Sequence, residues 1–376
     1  MKTELSSLEL HYLIKEIQPL VGGKVEQIYQ IGKEELILQL HIPSQGKRIL
    51  RCILGKMMYL ASGKGEVPEK PHGFCLFLRR KLKNARLRSL TQLGFERIVE
   101  FLLETKEAKF RLIIELFSNG NIILTDENNK IFSALENRDW KDRSIRPGKT
   151  YIFPEKEFNF LTLTDKELRK LLHKSDKENV VKSLAIELGL GGTYAEELCI
   201  EAKIDKNLKP AQLSDKELAA LHAAILSLRD KEISPAIVKL AEGKIKDIVP
   251  FELKYYKDME HDSAPDFNSA LDSVLTTKIE KKDLDTAEKA AKTKLDKIEE
   301  VIKQQTYRID GLEKSEKENQ RKGEVIYENY PIIERVLNEI KEDRKTLSWK
   351  ELKEKYKGHT IIKAIDAKTG ELTLDI

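Results

Sequence analysis

Residues 86 to 135 string together four runs, RLRSLTQLG, FERIVEFLLE, FRLIIELF and NIILTDENNKIFSAL, in which β-branched, aromatic and aliphatic residues dominate. Such residues favour a pleated, half-buried surface, and the SNG and DENN breaks between the later runs are hairpin signals. This stretch predicts an antiparallel meander. A similar set lies upstream, where VEQIYQIG, ELILQLHI and RILRCIL are separated by GKE and PSQGK turns. Before it, Leu5, Leu8, Tyr12, Leu13, Ile17 and Leu20 recur at three- and four-residue steps, the stripe of an amphipathic helix ended by VGGK. A second helix fits FCLFLRRKLKNA (74–85), after the Pro68 and Pro71 breakers, and RPGKTYIFP (146–154) reads as a closing loop. A mixed α/β domain over 1–155 follows.

Within that meander, FERIVEF poses a problem. At a period of two, Arg97 shares a face with Phe95, Val99 and Phe101, while Glu96 turns the other way. An unpaired buried charge costs several kcal/mol, so Arg97 is expected either to have a partner, with Glu9 or Glu96 the candidates, or to be used by a ligand.

The rest of the chain changes character. Residues 161–235 hold four helical patterns, TDKELRKLLH, NVVKSLAIEL, YAEELCIEA and SDKELAALHAAILSL, two of them opening on an Asp-containing or Ser-containing cap followed by Glu near the third helical position. In LAIELGLGGTYAEELCIEA (184–202) the second and third are joined through Gly189, Gly191 and Gly192, a segment that resembles a helix-hairpin-helix motif. Its glycines would leave amides open to a phosphate at a helix N-terminus. A purely structural αα-hairpin with a glycine cap explains the same residues. Linking strands and a loop fit 236–275. From about residue 278 to 345 the chain is strongly helical, with a heptad seam of Leu284, Ala291, Leu295, Ile298, Ile302, Gln305, Ile309 and Leu312, interrupted by Glu288, and a break at Pro331. A short helix and a β-hairpin fit 346–376. No returning helix covers the seam, so its partner is expected from a second copy or from a further part of a longer protein.

Composition narrows the function only locally. The chain is 35% charged, yet Lys plus Arg (67) nearly balances Asp plus Glu (63), for a net charge of +4. Any argument for a polyanionic partner must therefore come from clustering. The clearest cluster is FLRRKLKNARLRSL, where Arg79, Arg80, Lys81, Lys83, Arg86 and Arg88 are uninterrupted by an acid, a patch suited to phosphates. The three cysteines, Cys52, Cys75 and Cys199, have no metal or redox spacing and imply a reducing, cytoplasmic setting. No signal peptide or membrane-length apolar run is visible, no HExxH, GxSxG, Walker or dinucleotide motif appears, and no cofactor or metal is expected.

In combination, QIYQIG, PHGFCLFLRRKLKNARL, QLGFERIVEF, IIELFSNGNIILTD, RPGKTYIFP and IYENYPIIERVLNEIKE resemble the NFACT family, ribosome-associated quality-control factors also called fibronectin-binding proteins. The resemblance implies an α+β multidomain protein with an N-terminal domain similar to that of formamidopyrimidine-DNA glycosylases, a helix-hairpin-helix module and a long coiled-coil helix, forming the N-terminal portion of a longer chain. It implies a non-enzymatic factor that binds tRNA and the large ribosomal subunit carrying stalled peptidyl-tRNA, and recruits tRNA for template-free extension of the stalled chain. The family's Asp-Arg pair and first-helix Asp match Glu96, Arg97 and Glu9, with Glu in place of both acids, and these are the expected tRNA-binding residues. Arg79, Arg80, Lys81, Lys83, Arg86, Arg88, Gly189, Gly191 and Gly192 are the expected contacts to RNA phosphates. Two other readings stand beside it. A glycosylase-like enzyme needs an N-terminal Pro-Glu, and Met1 is followed here by Lys2 and Thr3. A coiled-coil interaction scaffold, self-associating through the seam, leaves the 77–90 cluster unexplained.

Overall fold

The computed structural model describes residues 2–376 apart from Ser44, Asp142 and Glu155, and gives backbone alone for 278–291. It divides into two units, residues 1–284 and 285–376.

In the first unit, helix α1 (Ser7–Glu16) precedes strands β1 (Lys24–Ile31), β2 (Glu35–Ile42), β3 (Gly46–Ile53) and β4 (Met57–Ala61). Helix α2 (Gly73–Leu82) then leads into β5 (Arg86–Gln92), β6 (Ile98–Glu104), β7 (Lys109–Glu115), β8 (Asn121–Asp126) and β9 (Ile131–Ala134). The two expected meanders join edge to edge into one nine-stranded sheet, β4-β3-β2-β1-β5-β6-β7-β8-β9, antiparallel throughout. Period-two alternation sorts its residues. Phe101, Leu112 and Leu124 join a core with α1 and α2, while Ile98, Ile113 and Ile123 face the opposite side under Ile145 and Tyr151. A two-residue ladder, β10 (Arg138–Asp139) with β11 (Ser144–Ile145), closes that second side.

Two turns of the sheet touch backbone to backbone. Gly120, at φ +68°, lies so near the β3–β4 turn that a Cβ there would meet Gly55 N at 2.3 Å and Leu54 Cβ at 2.7 Å. Gly120→Ala is therefore expected to cost at least the ~1 to 2 kcal/mol of a left-handed non-glycine residue, read as a lowered midpoint in chemical denaturation.

Four helices follow: α3 (Asp165–Lys174), α4 (Val180–Glu187), α5 (Gly192–Ala202) and α6 (Asp215–Arg229). Both expected capping boxes form, Thr164 with Glu167 and Ser214 with Glu217. Strands β12 (Ala236–Lys239), β13 (Ile245–Val249) and β14 (Glu260–Ser263) make a small sheet in the order β13-β12-β14. The third strand, EHDS, has no apolar alternation to announce it.

Helix α1 explains why segments read separately from the sequence form one unit. Its stripe is two stripes: Leu10, Leu13, Ile14 and Ile17 face the large sheet, and Leu8 and Tyr12 face the helical module. A helix apolar on most of its circumference is buried on most of it, and each fully buried Leu or Ile contributes roughly 1.5 to 3 kcal/mol. The Tyr12 hydroxyl donates to the carbonyls of Leu228 (2.8 Å) and Arg229 (2.9 Å), fastening α1 to the end of α6.

Helix α7 (Phe267–Glu328) starts eleven residues before the expected 278, because Phe267, Ala270, Leu271, Val274 and Leu275 pack into the sheet's first core. Glu16 caps its first turn, accepting from Phe267 N (2.8 Å) and Asn268 N (2.9 Å). Seam positions Leu284 and Ala291, with the interrupting Glu288, lie outside the residues whose side chains are described. Leu295, Ile298, Ile302, Ile309 and Leu312 are exposed.

The second unit takes in the remainder of α7, then α8 (Tyr330–Asp343), α9 (Trp349–Lys355) and the expected C-terminal hairpin, β15 (Ile362–Ile365) with β16 (Leu372–Leu374). Val336, Ile340, Leu352, Ile362 and Ile365 form its small core, and Pro331 sits in the first turn of α8, where its missing N–H costs nothing.

Candidate functional site

The turn before β6 decides where Arg97 points. Gly94 adopts φ +57°, Glu96 N donates to Leu93 O (3.1 Å) and Leu93 N to Ile98 O (3.0 Å), so residues 94–97 form the hairpin turn and the strand begins at Ile98. The period-two reading therefore fails at this point. Phe95 leaves the face of Val99 and Phe101 and stacks on Phe160 in the helical module's core (centroids 4.9 Å apart), and Arg97 reaches a cleft.

That cleft, about 710 Å³, is walled by the N-terminal segment, the 94–97 turn and the α4–α5 connection. It brings together Glu9, Glu96, Arg97, Gly189, Gly191 and Gly192, and adds Lys2, Glu4, Lys156 and Lys246. Gly189 and Gly191 take φ of +70° and +77°, and Gly191 caps α5 without a side-chain hydrogen bond. Lys156 lies so close to Gly189 that a Cβ there would meet its ammonium at 2.1 Å. The same lysine pairs with Glu96 at 3.4 Å.

Neither expected partner of Arg97 is the actual one. Its Nη1 donates to Glu4 Oε2 at 2.5 Å and to Leu5 O at 3.3 Å. Glu9, one of the residues expected to bind tRNA, lines the cleft from a largely buried position. It is 2% exposed, and its carboxylate is filled from within the protein. Oε1 accepts from Lys2 Nζ (2.6 Å) and Tyr194 OH (2.9 Å), and Oε2 from Ser6 N (2.8 Å), the last completing a capping box at the start of α1. Lys2 also reaches Asp247 Oδ1 (2.8 Å), whose second oxygen accepts from Tyr256 OH (2.7 Å). This network ties α1, α5 and β13 to the chain's second residue.

Electrostatics follow from those contacts. Burial opposes the Lys2 charge, but Glu9 and Asp247 outweigh it and the ammonium's pKa is raised. Burial would lift the Asp247 carboxyl, and Lys2 with Tyr256 holds it below its ordinary value instead. Burial, then Glu9, drives the Tyr194 hydroxyl well above the phenol range.

The basic cluster builds a second feature, a groove of about 970 Å³ between the end of α2 and the β6–β7 turn. Arg80, Lys81, Lys83, Arg86 and Arg88 line it, joined by Lys24 and Lys106, with Glu104 and Glu107 as its acids. Lys24 and Lys106 are far from the cluster in sequence and arrive through the β1–β5 and β5–β6 pairings. Arg79 departs from the expected set: its Nε donates to Ile28 O (2.7 Å) and its guanidinium lies over the Tyr29 ring. It does not line the groove, and these contacts hold α2 on β1. Arg88 is partly neutralised by Glu104 at 2.5 Å.

Among the described residues no helix is long and apolar enough to cross a membrane, and no group of three or more His, Cys, Asp or Glu could hold a metal ion.

Residues 6–369 match the family model of NFACT N-terminal and middle domains. The archaeal Rqc2 homolog aRqcH of Methanocaldococcus jannaschii is 32% identical over 397 residues, covering 100% of this chain and 58% of that protein. The human ribosome quality control complex subunit NEMF is 26% identical over 373 residues, covering 91% of this chain and 34% of its own length. The chain thus spans less than two thirds of either relative. Among solved structures, the N-terminal part of the fibronectin/fibrinogen-binding protein from Streptococcus suis superposes with a TM-score of 0.57 at 24% identity, over 73% of this chain and 100% of that one. The likeness is one of fold.

Proposed function

This chain belongs to the NFACT family, and from that premise we propose that it is a ribosome-associated quality-control factor that binds tRNA in the cleft at Arg97 and RNA phosphates along the basic groove. It would act on the large ribosomal subunit bearing stalled peptidyl-tRNA, in the cytoplasm, recruiting tRNA for template-free extension and leaving bond formation to the ribosome. The observation that carries the reading is the convergence in one cleft of the 94–97 turn and the glycine connection, separated by some ninety residues of sequence. A guanidinium, three lysines and the N-terminus of α5, which no side chain caps, face the same space, which suits an RNA backbone with a base edge beside it. On this reading the α4–α5 pair is a helix-hairpin-helix element. The relatives named for ribosome quality control support the reading at the level of the pathway.

The test is recovery of large subunits and tRNA on the purified chain, with sequencing of the bound RNA. Absence of tRNA enrichment over total RNA would overturn the assignment. The groove has its own prediction. Arg80, Lys83 and Arg86 changed together to Glu should weaken binding to every structured RNA and reduce the slope of log affinity against log salt by about 0.7 to 0.9 per lost phosphate contact. An unchanged slope would remove the groove from the interface. Changing Arg79 instead should lower stability, since its contacts are internal.

The exposed seam of α7, with Ile302 at 59% and Leu312 at 71% exposure, favours a second, compatible role in helix pairing. Light scattering against concentration reports whether the chain self-associates through it.

A further inference from the structure

The guanidinium that the proposed function assigns to RNA is already engaged. Arg97 Nη1 holds Glu4 Oε2 at 2.5 Å, a charge-assisted bond in the cleft itself. The two partners differ in freedom. The Arg97 side chain is 21% exposed and the Glu4 side chain 56%. Glu4 is nevertheless tethered on both sides. Lys2 is fixed by Glu9 and Asp247, and Leu5 is fully buried, its N–H donating to Lys56 O at 2.9 Å. The Glu4 backbone is thus held at the cleft while its carboxylate can swing into solvent.

A carboxylate presents to a guanidinium the same kind of acceptor that a phosphate oxygen or a base-edge carbonyl presents. We propose that Glu4 is a displaceable internal stand-in for the RNA acceptor, which keeps Arg97 extended into the cleft and sets a threshold that an incoming ligand must exceed. This rests on reading the cleft as an RNA site and names the residue that regulates it. A tethered carboxylate competes at an effective concentration of the order of mM, so a lone anion is a poor challenger, whereas an RNA making several contacts at once is a good one. The pair is partly solvated, so breaking it lowers affinity only severalfold and does not prevent binding. Glu96, the acid adjacent in sequence, is not the competitor, because it is paired with Lys156 on the other wall.

The test is a double-mutant cycle on the full chain, with total tRNA and poly-U as probes. Glu4→Gln should bind tRNA about two- to fivefold more tightly, the factor recovered when an exposed pair need not be broken. Glu4→Asp should stay near wild type. In an Arg97→Ala background Glu4→Gln should change nothing, whereas a general gain from one lost negative charge would persist there. NMR of the arginine side-chain NH groups without RNA supplies an independent readout: Glu4→Gln should alter the Arg97 signal and speed its solvent exchange. An unaltered Arg97 signal, unchanged or weaker tRNA binding by Glu4→Gln, or a gain that survives Arg97→Ala would each overturn the proposal. If wild type and Arg97→Ala bind tRNA equally, the RNA reading of the cleft fails, and the NMR arm still decides whether Glu4 restrains Arg97.

Discussion

Lys2→Met is expected to destabilise the first unit by about 3 to 5 kcal/mol, the cost of removing one partner from a buried ionic network. Methionine fills the volume of the lysine stem, so the loss isolates the charge. Without the ammonium, Glu9 and Asp247 remain as two carboxylates with side-chain exposures of 3% and 14% and no cation between them. Glu9→Gln should cost less, because Lys2 keeps Asp247 and the amide oxygen can still accept from Ser6 N or Tyr194. Glu9→Asp should also cost something, since one shorter carboxylate cannot hold three donors set at 2.6, 2.8 and 2.9 Å. The pH dependence has a definite sign. In the wild type the Asp247 pKa is lowered, so its contribution is present above the ordinary Asp value of 3.8 and is lost as pH falls through the lower folded value. The Lys2 pKa is raised, so its contribution is complete below 10.5 and lost only as pH rises through the higher folded value. In Lys2→Met the ammonium that holds the Asp247 pKa down is gone and burial, which raises it, is left, so that variant is expected to gain stability on acidification. The gap between the two proteins should therefore narrow from neutral toward mildly acidic pH. Urea denaturation at several pH values measures it, and a gap that is small at neutral pH or widens in acid would show that the network does not hold α1, α5 and β13 together.

Much of this fold was legible because its signals are local. The Thr164 and Ser214 caps, the SNG and DENN turns and the strand runs each announce themselves within a few residues, and all of them form. What stayed hidden depends on distance along the chain. Arg97 meets Glu4 across 93 positions, and no periodicity encodes such a pair. Its orientation was misread because one glycine at positive φ converts the start of an apparent strand into a turn, which resets every side chain before Ile98. The two-sided burial of α1 was written in its sequence, in Leu8 and Tyr12 beside Leu10, Leu13 and Ile14, yet a single stripe was the simpler description. Lys2 gave no sign at all, since a lysine at the second position looks like any solvated terminus. Arg79 shows the opposite limit: a run of cations suggests a common surface, and nothing in the run marks the one whose guanidinium is held by Ile28 O and Tyr29 and does not line the groove.

Arg97→Ala should separate stability from binding more sharply than any other single change. Its partner Glu4 is more than half exposed, so no buried carboxylate is stranded when the guanidinium goes, and the melting temperature should move by the equivalent of at most about 1 kcal/mol. The carbonyl of Leu5, also released, can take water at the cleft. Binding is a different matter. If Arg97 makes a charge-assisted contact to RNA, its loss removes roughly 1.5 to 3 kcal/mol, a fall in tRNA affinity of about ten- to 150-fold. The groove is untouched, so sequence-independent binding and its salt slope should persist. Glu96→Asp should be tolerated by comparison, because its 3.4 Å contact to Lys156 is loose enough to survive one methylene less. Thermal melts run beside tRNA titrations decide between the accounts. A strongly destabilised Arg97→Ala protein whose folded fraction binds tRNA as well as wild type would make Arg97 a structural member of the N-terminal segment, and would move the RNA interface from the cleft to the basic groove.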